Sequence, residues 1–361
     1  MADARADSAV VLIASALEGA WRREPPPPAL SEERLARVAP LLSGSGASAL
    51  AWWKLRRSSL CETREALEFK QSYRLQALKD AVREREVESL FALLDAAGVE
   101  AVLVKGWAAA RAYPEPGLRP AGDIDLCVRP AQFVKAKDVL ASPEGRRFWV
   151  DLHEGFATLL DGRAEELFGR SRVLPLGASR VRVLAEEDHL RLLCFHLLRH
   201  GAWRPLWLCD VAAAIESRAE DFDWRRLLGA DVKRERWVVC AAGLAARLLG
   251  ARLEGTPLAP AARSLPRWLL RGVSKQWETP FAACQPPLSH RAPMRKYLRR
   301  PRGILGDLRK RWPNPISATV DVCGPFNALP RLPFQLACGL SRTAAFLARV
   351  NAESRRAPHF L

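Results

Sequence analysis

Two short stretches, Leu103-Val-Lys-Gly-Trp107 and Gly122-Asp-Ile-Asp-Leu-Cys-Val128, fourteen residues apart, decide how this chain is read. In a strand, alternate side chains share a face, so Asp123 and Asp125 project one way while Ile124 and Leu126 enter a core. Two carboxylates held side by side repel and raise each other's pKa unless a cation lies between them, so a strand-borne Asp-x-Asp is a natural seat for Mg²⁺. A bare Asp-Ile-Asp is more often a surface strand whose acids cap a turn. Its neighbours shift that balance. The apolar run Val99 to Val104 predicts a buried strand, and the Lys105-Gly106 turn after it offers free backbone N–H groups and a cation where a polyphosphate can lie.

Outward from these stretches, the order is a helix over Trp107 to Tyr113, a Pro/Gly loop to Gly122, a strand over Asp123 to Val128, and a helix from about Ala131 to Leu140. A third strand, Phe148 to His153, has alternating faces: Val150 and Leu152 point one way and Asp151 the other, as a third acid lining the same site would. Three acids, a glycine turn and a basic residue can hold a metal-bound nucleoside triphosphate and activate an incoming hydroxyl. Arg119, four residues before Asp123, either reaches a phosphate or the paired acids, or forms a salt bridge that stiffens the loop.

Upstream, residues 9–60 read as short helices around the Pro-rich break Glu24 to Pro28, with Ser31 a helix cap. From Thr63 to Ala97 neither Gly nor Pro interrupts one long helix, or two in line, which Gly98 ends. Downstream, residues 163–184 suggest a helix and a hairpin turning at Gly177-Ala178-Ser179, and the pattern is helical from Glu186 to about Leu249. Beyond Gly255, prolines recur every few residues and predict short or irregular helices. The expected division is an N-terminal helical region (1–97), an α/β core (98–184), a helical substrate or nucleotide side (185–254) and a basic, Pro-rich, largely helical or irregular region (255–361).

On the helix Glu186 to His200, Leu190, Leu193, Cys194, Leu197 and Leu198 form the core stripe, and His189, His196 and His200 fall together on its flank. His196 and His200 have the i,i+4 spacing of zinc ligands, but no glutamate completes a His-Glu-x-x-His motif and no second ligand group lies near. They either touch the nucleotide or acceptor over the cleft or are partly buried structural residues. Asp210 lies opposite Leu208, Val211 and Ile215, and its role is open.

The stretches Leu103-Val-Lys-Gly, Tyr113-Pro-Glu-Pro-Gly-Leu-Arg-Pro-Ala-Gly-Asp-Ile-Asp-Leu-Cys-Val128, Asp151-Leu-His153 and the His196/His200/Asp210 segment resemble the bacterial family of uncharacterised nucleotidyltransferases. The resemblance covers about residues 30–220. It implies an α+β fold: a small mixed sheet with flanking helices, plus N-terminal helices and a mostly helical C-terminal part. It further implies Asp123 and Asp125 as ligands of Mg²⁺ (or Mn²⁺), Asp151 as the third acid, and Gly106 at the triphosphate turn, beside which Lys105 and, in one of its two alternatives, Arg119 are the candidate phosphate contacts. His153, His189, His196, His200 and Asp210 are then the candidate substrate side, and an NTP such as ATP is the co-substrate. The turn departs from the superfamily pattern: it has no serine, and it carries the bulky Trp107.

Charge is divided unevenly. Residues 251–361 hold 19 Lys/Arg and 5 Asp/Glu, so 14 of the 16 net positive charges sit in the last third, and carboxylate chemistry is expected before it. Arg291 to Arg311 alone holds nine Lys/Arg and one Asp. Such a run binds nucleic acid or an anionic surface, or is simply solvated; the dispersed tryptophans and lack of a nucleic-acid motif favour the solvated face. The rival function is accordingly a non-catalytic binding protein on the same core, holding an acidic partner (RNA or an anionic surface) with its basic third. No Walker loop or Gly-x-Gly-x-x-Gly turn occurs, which removes P-loop and dinucleotide readings. Eight cysteines without a Cys-x-x-Cys pair, and a first apolar run (Ala9 to Leu17) that Glu18 ends, lead to the expectation of a cytoplasmic protein without a transmembrane segment.

Overall fold

The computed structural model describes residues 8–156, 163–279 and 312–356. Its centre is a five-stranded mixed sheet. Strands β1 (Ala101–Val104), β2 (Ile124–Val128), β3 (Val150–Glu154), β4 (Arg172–Leu176) and β5 (Ser179–Val183) lie in the order β3-β2-β1-β5-β4. The β1–β2 and β4–β5 pairs are antiparallel; β2–β3 and β1–β5 are parallel. This is the α+β architecture expected, with strand ends shifted by one or two residues: β1 starts at Ala101 rather than Val99, Asp123 stands one residue before β2, and β3 runs from Val150 to Glu154.

The helices are α1 (Ala9–Leu17), α2 (Glu32–Gly44), α3 (Ser48–Leu55), α4 (Arg64–Ala96), α5 (Gly106–Ala110), α6 (Phe133–Ala141), α7 (Ala164–Gly169), α8 (Glu186–Arg199), α9 (Pro205–Glu216), α10 (Trp224–Leu228), α11 (Val232–Leu249), α12 (Ala259–Ala262), α13 (Arg267–Trp277), α14 (Pro315–Asp321) and α15 (Leu332–Arg356). Ser31 caps α2 and Thr63 caps α4, each accepting a backbone N–H three residues on. The 33 uninterrupted residues of α4 make one helix, about 50 Å long. The expectation of short helices after Gly255 fails for α15. The prolines that punctuate that region stop at Pro333 and resume only at Pro358, so nothing breaks the helix between them. The basic run Arg291 to Arg311 lies outside the described residues.

Strand alternation divides the interior into two cores. Ala101, Leu103, Ile124, Leu126 and Val128 face Val87, Leu90, Phe91 and Leu94 of α4 and Ala136 of α6. Val102, Val104 and Cys127 face the other way, into a larger core that unites α1–α3 with α8, α9 and α11. The sheet is thus covered on both faces. In register with Val104 stands Asp125, so its carboxylate is on the side of the larger helical body. Among the described residues no helix is long and apolar enough to cross a membrane.

Candidate metal centre

The parallel β2–β3 register sets Asp125 opposite Asp151 and Cys127 opposite His153. All four side chains therefore share one face, and the three that carry metal-ligating N or O atoms meet: one ligand atom each from Asp125, Asp151 and His153 lies within 4.8 Å of the others. His153 Nε2 is 3.2 Å from Asp151 Oδ2 and 3.6 Å from Asp125 Oδ1. It has no hydrogen-bond partner among the described residues, although that atom is buried. Asp151 is exposed and Asp125 is buried. Cys127 belongs to the core, where burial pushes its thiol far up, so it is no competing ligand.

Lys105 completes the surroundings of Asp125, its Nζ donating to Oδ1 at 2.6 Å. It leaves β1 with φ +55°, ψ −133°, a backbone that few residues other than glycine adopt. That conformation is held by the first hydrogen bond of α5, Ala109 N–H to the Lys105 carbonyl, and by the ion pair. Burial alone raises the Asp125 pKa; the His153 ring and the Lys105 ammonium outweigh it and hold the carboxyl below its usual range. Asp123 behaves oppositely. Its carboxyl, half-buried in front of β2, is pushed up by burial and then by the charges of Asp125 and Asp151.

Two aspects of the turn differ from the simplest sequence picture. Trp107 packs into the core beside Leu103 and Ile124, which accounts for a bulky residue at that position. At Gly106 an added Cβ would make only ordinary contacts, with the Asp123 carbonyl at 3.7 Å and Ala121 at 3.8 Å, so packing within the chain does not demand the glycine.

Arg119 does not join the carboxylates. Buried, it makes a two-pronged pair with Asp210 on α9, Nη2 to Oδ2 at 2.8 Å and Nε to Oδ1 at 3.1 Å, and Tyr113 O–H donates to the same Oδ1 at 2.8 Å. Of the two sequence alternatives, the geometry is that of the stiffening salt bridge. Asp210 is thereby an interior partner of the Pro/Gly loop. His189 lies within reach of the same charges; burial drives its ring down to about 4, and its Nε2 is buried without a partner among the described residues. His196 and His200 are placed elsewhere, in a ring cluster with Trp207: centroids are 4.5 Å apart for His196–His200 and His196–Trp207, and 5.0 Å for His200–Trp207. Burial first, then the charge of Lys105 among others, lowers both imidazoles. The cluster therefore borders the Lys105 turn, consistent with the packing of α9 on α5.

Residues 31–250 match the family described as uncharacterised nucleotidyltransferase. The chain belongs to that family. No curated protein and no solved structure matches it. The matched span contains every residue of the Asp125/Asp151/His153 cluster, and a divalent ion is the group that nucleotidyltransferases use at such a place. The donor set fits one: two carboxylate oxygens and an orphaned imidazole nitrogen converge, as they would around a cation.

Two residues stand beside the acids in a way the sequence does not spell out. His153, expected on the substrate side, lies next to Asp125 and Asp151, because the two-residue alternation that turns Asp151 inward turns His153 with it. Arg83 was not singled out; from α4 its guanidinium donates to the Gly122 carbonyl and lines the crevice beside Gly106, Ala121 and Asp123. Nothing in a long charged helix marks that arginine, because its partner is 39 residues away.

Proposed function

We propose that the protein is a metal-dependent nucleotidyltransferase that moves a nucleoside monophosphate from an NTP to an acceptor hydroxyl or phosphate, with release of pyrophosphate. The observation that carries this reading is the meeting of Asp125, Asp151 and His153 on one face of adjacent strands, inside the segment that defines the family. Mg²⁺ or Mn²⁺ held by Asp123, Asp125 and Asp151 would neutralise charge on the triphosphate as the leaving group departs. Asp151, the most exposed of the three, takes the proton of the incoming acceptor. Lys105 gives the triphosphate a fixed positive charge at the turn, and Gly106 leaves the backbone there uncovered. Arg119 and Asp210 act by fixing the loop that delivers Asp123. His196 and His200, neutral and packed edge-on or tilted against Trp207 beyond Lys105, form the wall for the base or the acceptor. NTPs make the cytoplasm the natural place for this chemistry.

The test is an assay of pyrophosphate release by the full-length protein, with each NTP, Mg²⁺ or Mn²⁺, and small-molecule, peptide and RNA acceptors. Release that requires Asp125 is expected, with Asp125→Asn slower by on the order of 10²–10³. No release from any NTP, together with equal thermal stabilisation of wild type and Asp125→Asn by metal plus NTP, would overturn the reading.

A further inference from the structure

We infer that His153 is a further ligand of the metal through Nε2, adding an imidazole nitrogen to the carboxylates of the centre, which then takes a first-row transition dication such as Mn²⁺ in preference to Mg²⁺. This rests on the proposed function, in which a cation sits at Asp125 and Asp151.

Three observations support it. First, His153 Nε2 is buried, stands 3.2 Å from Asp151 Oδ2 and 3.6 Å from Asp125 Oδ1, and meets hydrogen-bond geometry with no acceptor among the described residues. Second, the separations suit shared coordination. Neighbouring ligands of an octahedral ion with bonds of about 2.1 Å stand about 3.0 Å apart and opposite ones about 4.2 Å, against 3.2 and 3.6 Å from His153 to the two carboxylates. Third, β2–β3 register fixes all three side chains to one face, so the arrangement follows from the strands rather than from side-chain choice.

The chemistry of the donors then selects the ion. Mg²⁺ takes oxygen ligands and dehydrates reluctantly, whereas imidazole nitrogen suits transition dications. The other positive group at Asp125 is Lys105, bonded to the Oδ1 that His153 also faces. A ligand role requires the ring to present its Nε2 lone pair, with the proton on Nδ1.

The experiment uses the full-length protein loaded with Mn²⁺ alone and reads electron spin-echo modulation. Wild type is expected to show ¹⁴N modulation that changes to the ¹⁵N pattern when histidine is ¹⁵N-labelled, a result that needs no variant to fold. His153→Gln should abolish the modulation and weaken Mn²⁺ binding by about tenfold, while Mg²⁺ binding, followed by calorimetry, changes little. Asp125-dependent Mn²⁺ binding without nitrogen modulation, or modulation that survives His153→Gln, would overturn the inference and leave the nucleotidyltransferase reading standing. Absence of any Asp125-dependent Mn²⁺ binding would overturn both.

Discussion

Asp123 and Asp125 differ by one peptide unit on either side of Ile124, yet their environments push them apart. Asp125 pairs with Lys105 and faces His153, which lowers its pKa; Asp123 has burial and two negative neighbours, which raise it. The folded pKa of Asp123 lies above its unfolded value, so its ionisation weakens the fold at neutral pH and is harmless below the unfolded value, about pH 4. Asp123→Asn should therefore raise the melting temperature of metal-free protein at pH 7, and the gain should vanish as the pH falls through that window. The sign reverses for Asp125, whose stabilising contribution is present above its unfolded pKa and is lost as pH falls through its lower folded value. Asp125→Asn leaves the Lys105 ammonium buried without its partner and should cost about 3 kcal/mol at pH 7 in a denaturant titration. At this scale the sequence was informative about which acids share a face, because period two is a local rule. It was silent about their opposite electrostatics, which depend on Lys105, twenty residues away.

The Pro/Gly loop from Pro114 to Gly122 carries no regular structure, but two helices hold it. On one side Asp80 of α4 accepts the Gly117 N–H at 2.8 Å and Arg83 holds the Gly122 carbonyl; on the other Asp210 of α9 holds Arg119. Gly117 has φ +85°, and a Cβ there would lie 2.7–2.9 Å from the Ala77 backbone and Cβ of α4. Gly117→Ala thus combines backbone strain with overpacking against atoms that cannot swing aside. A loss of about 2–3 kcal/mol is expected from urea unfolding, along with a drop in kcat as Asp123 shifts. The strands and the long helix around this loop were legible from apolar runs and from the absence of Gly and Pro. The loop's anchors were not, since a hydrogen bond between Gly117 and residue 80 leaves no mark in either stretch.

Across the molecule, the larger core gathers residues from α1–α3, one face of the sheet and α8, α9 and α11. One charged pair inside it, Arg119 with Asp210, spans 91 positions and ties the α/β sheet to the helical body. Removing one partner strands a buried charge, so Arg119→Met or Asp210→Leu alone should cost about 3–5 kcal/mol, and the double variant less than either single change. Denaturant unfolding of the three proteins, read as a double-mutant cycle, checks this. Strictly additive costs would mean that the two side chains do not act as a pair. Sequence spacing offered this salt bridge only as one of two alternatives for Arg119, because the partner's identity is a property of tertiary packing. Likewise the 25-residue α15 was missed by extending a proline-rich reading past the point where prolines stop.

The loop that delivers Asp123, pinned at Gly117, Arg119 and Gly122, also has a consequence in time. Irregular connections ordinarily open on fast local fluctuations and trade their amide protons with water readily, whereas this one can loosen only by exposing the Arg119–Asp210 pair and detaching from α4. In deuterium exchange the Gly117 amide should be protected nearly as long as those of β1, and Asp210→Asn should abolish that protection while leaving β1 slow. A loop of that kind stands in place beforehand, so for the proposed NTP, association would be governed by encounter rather than by rearrangement.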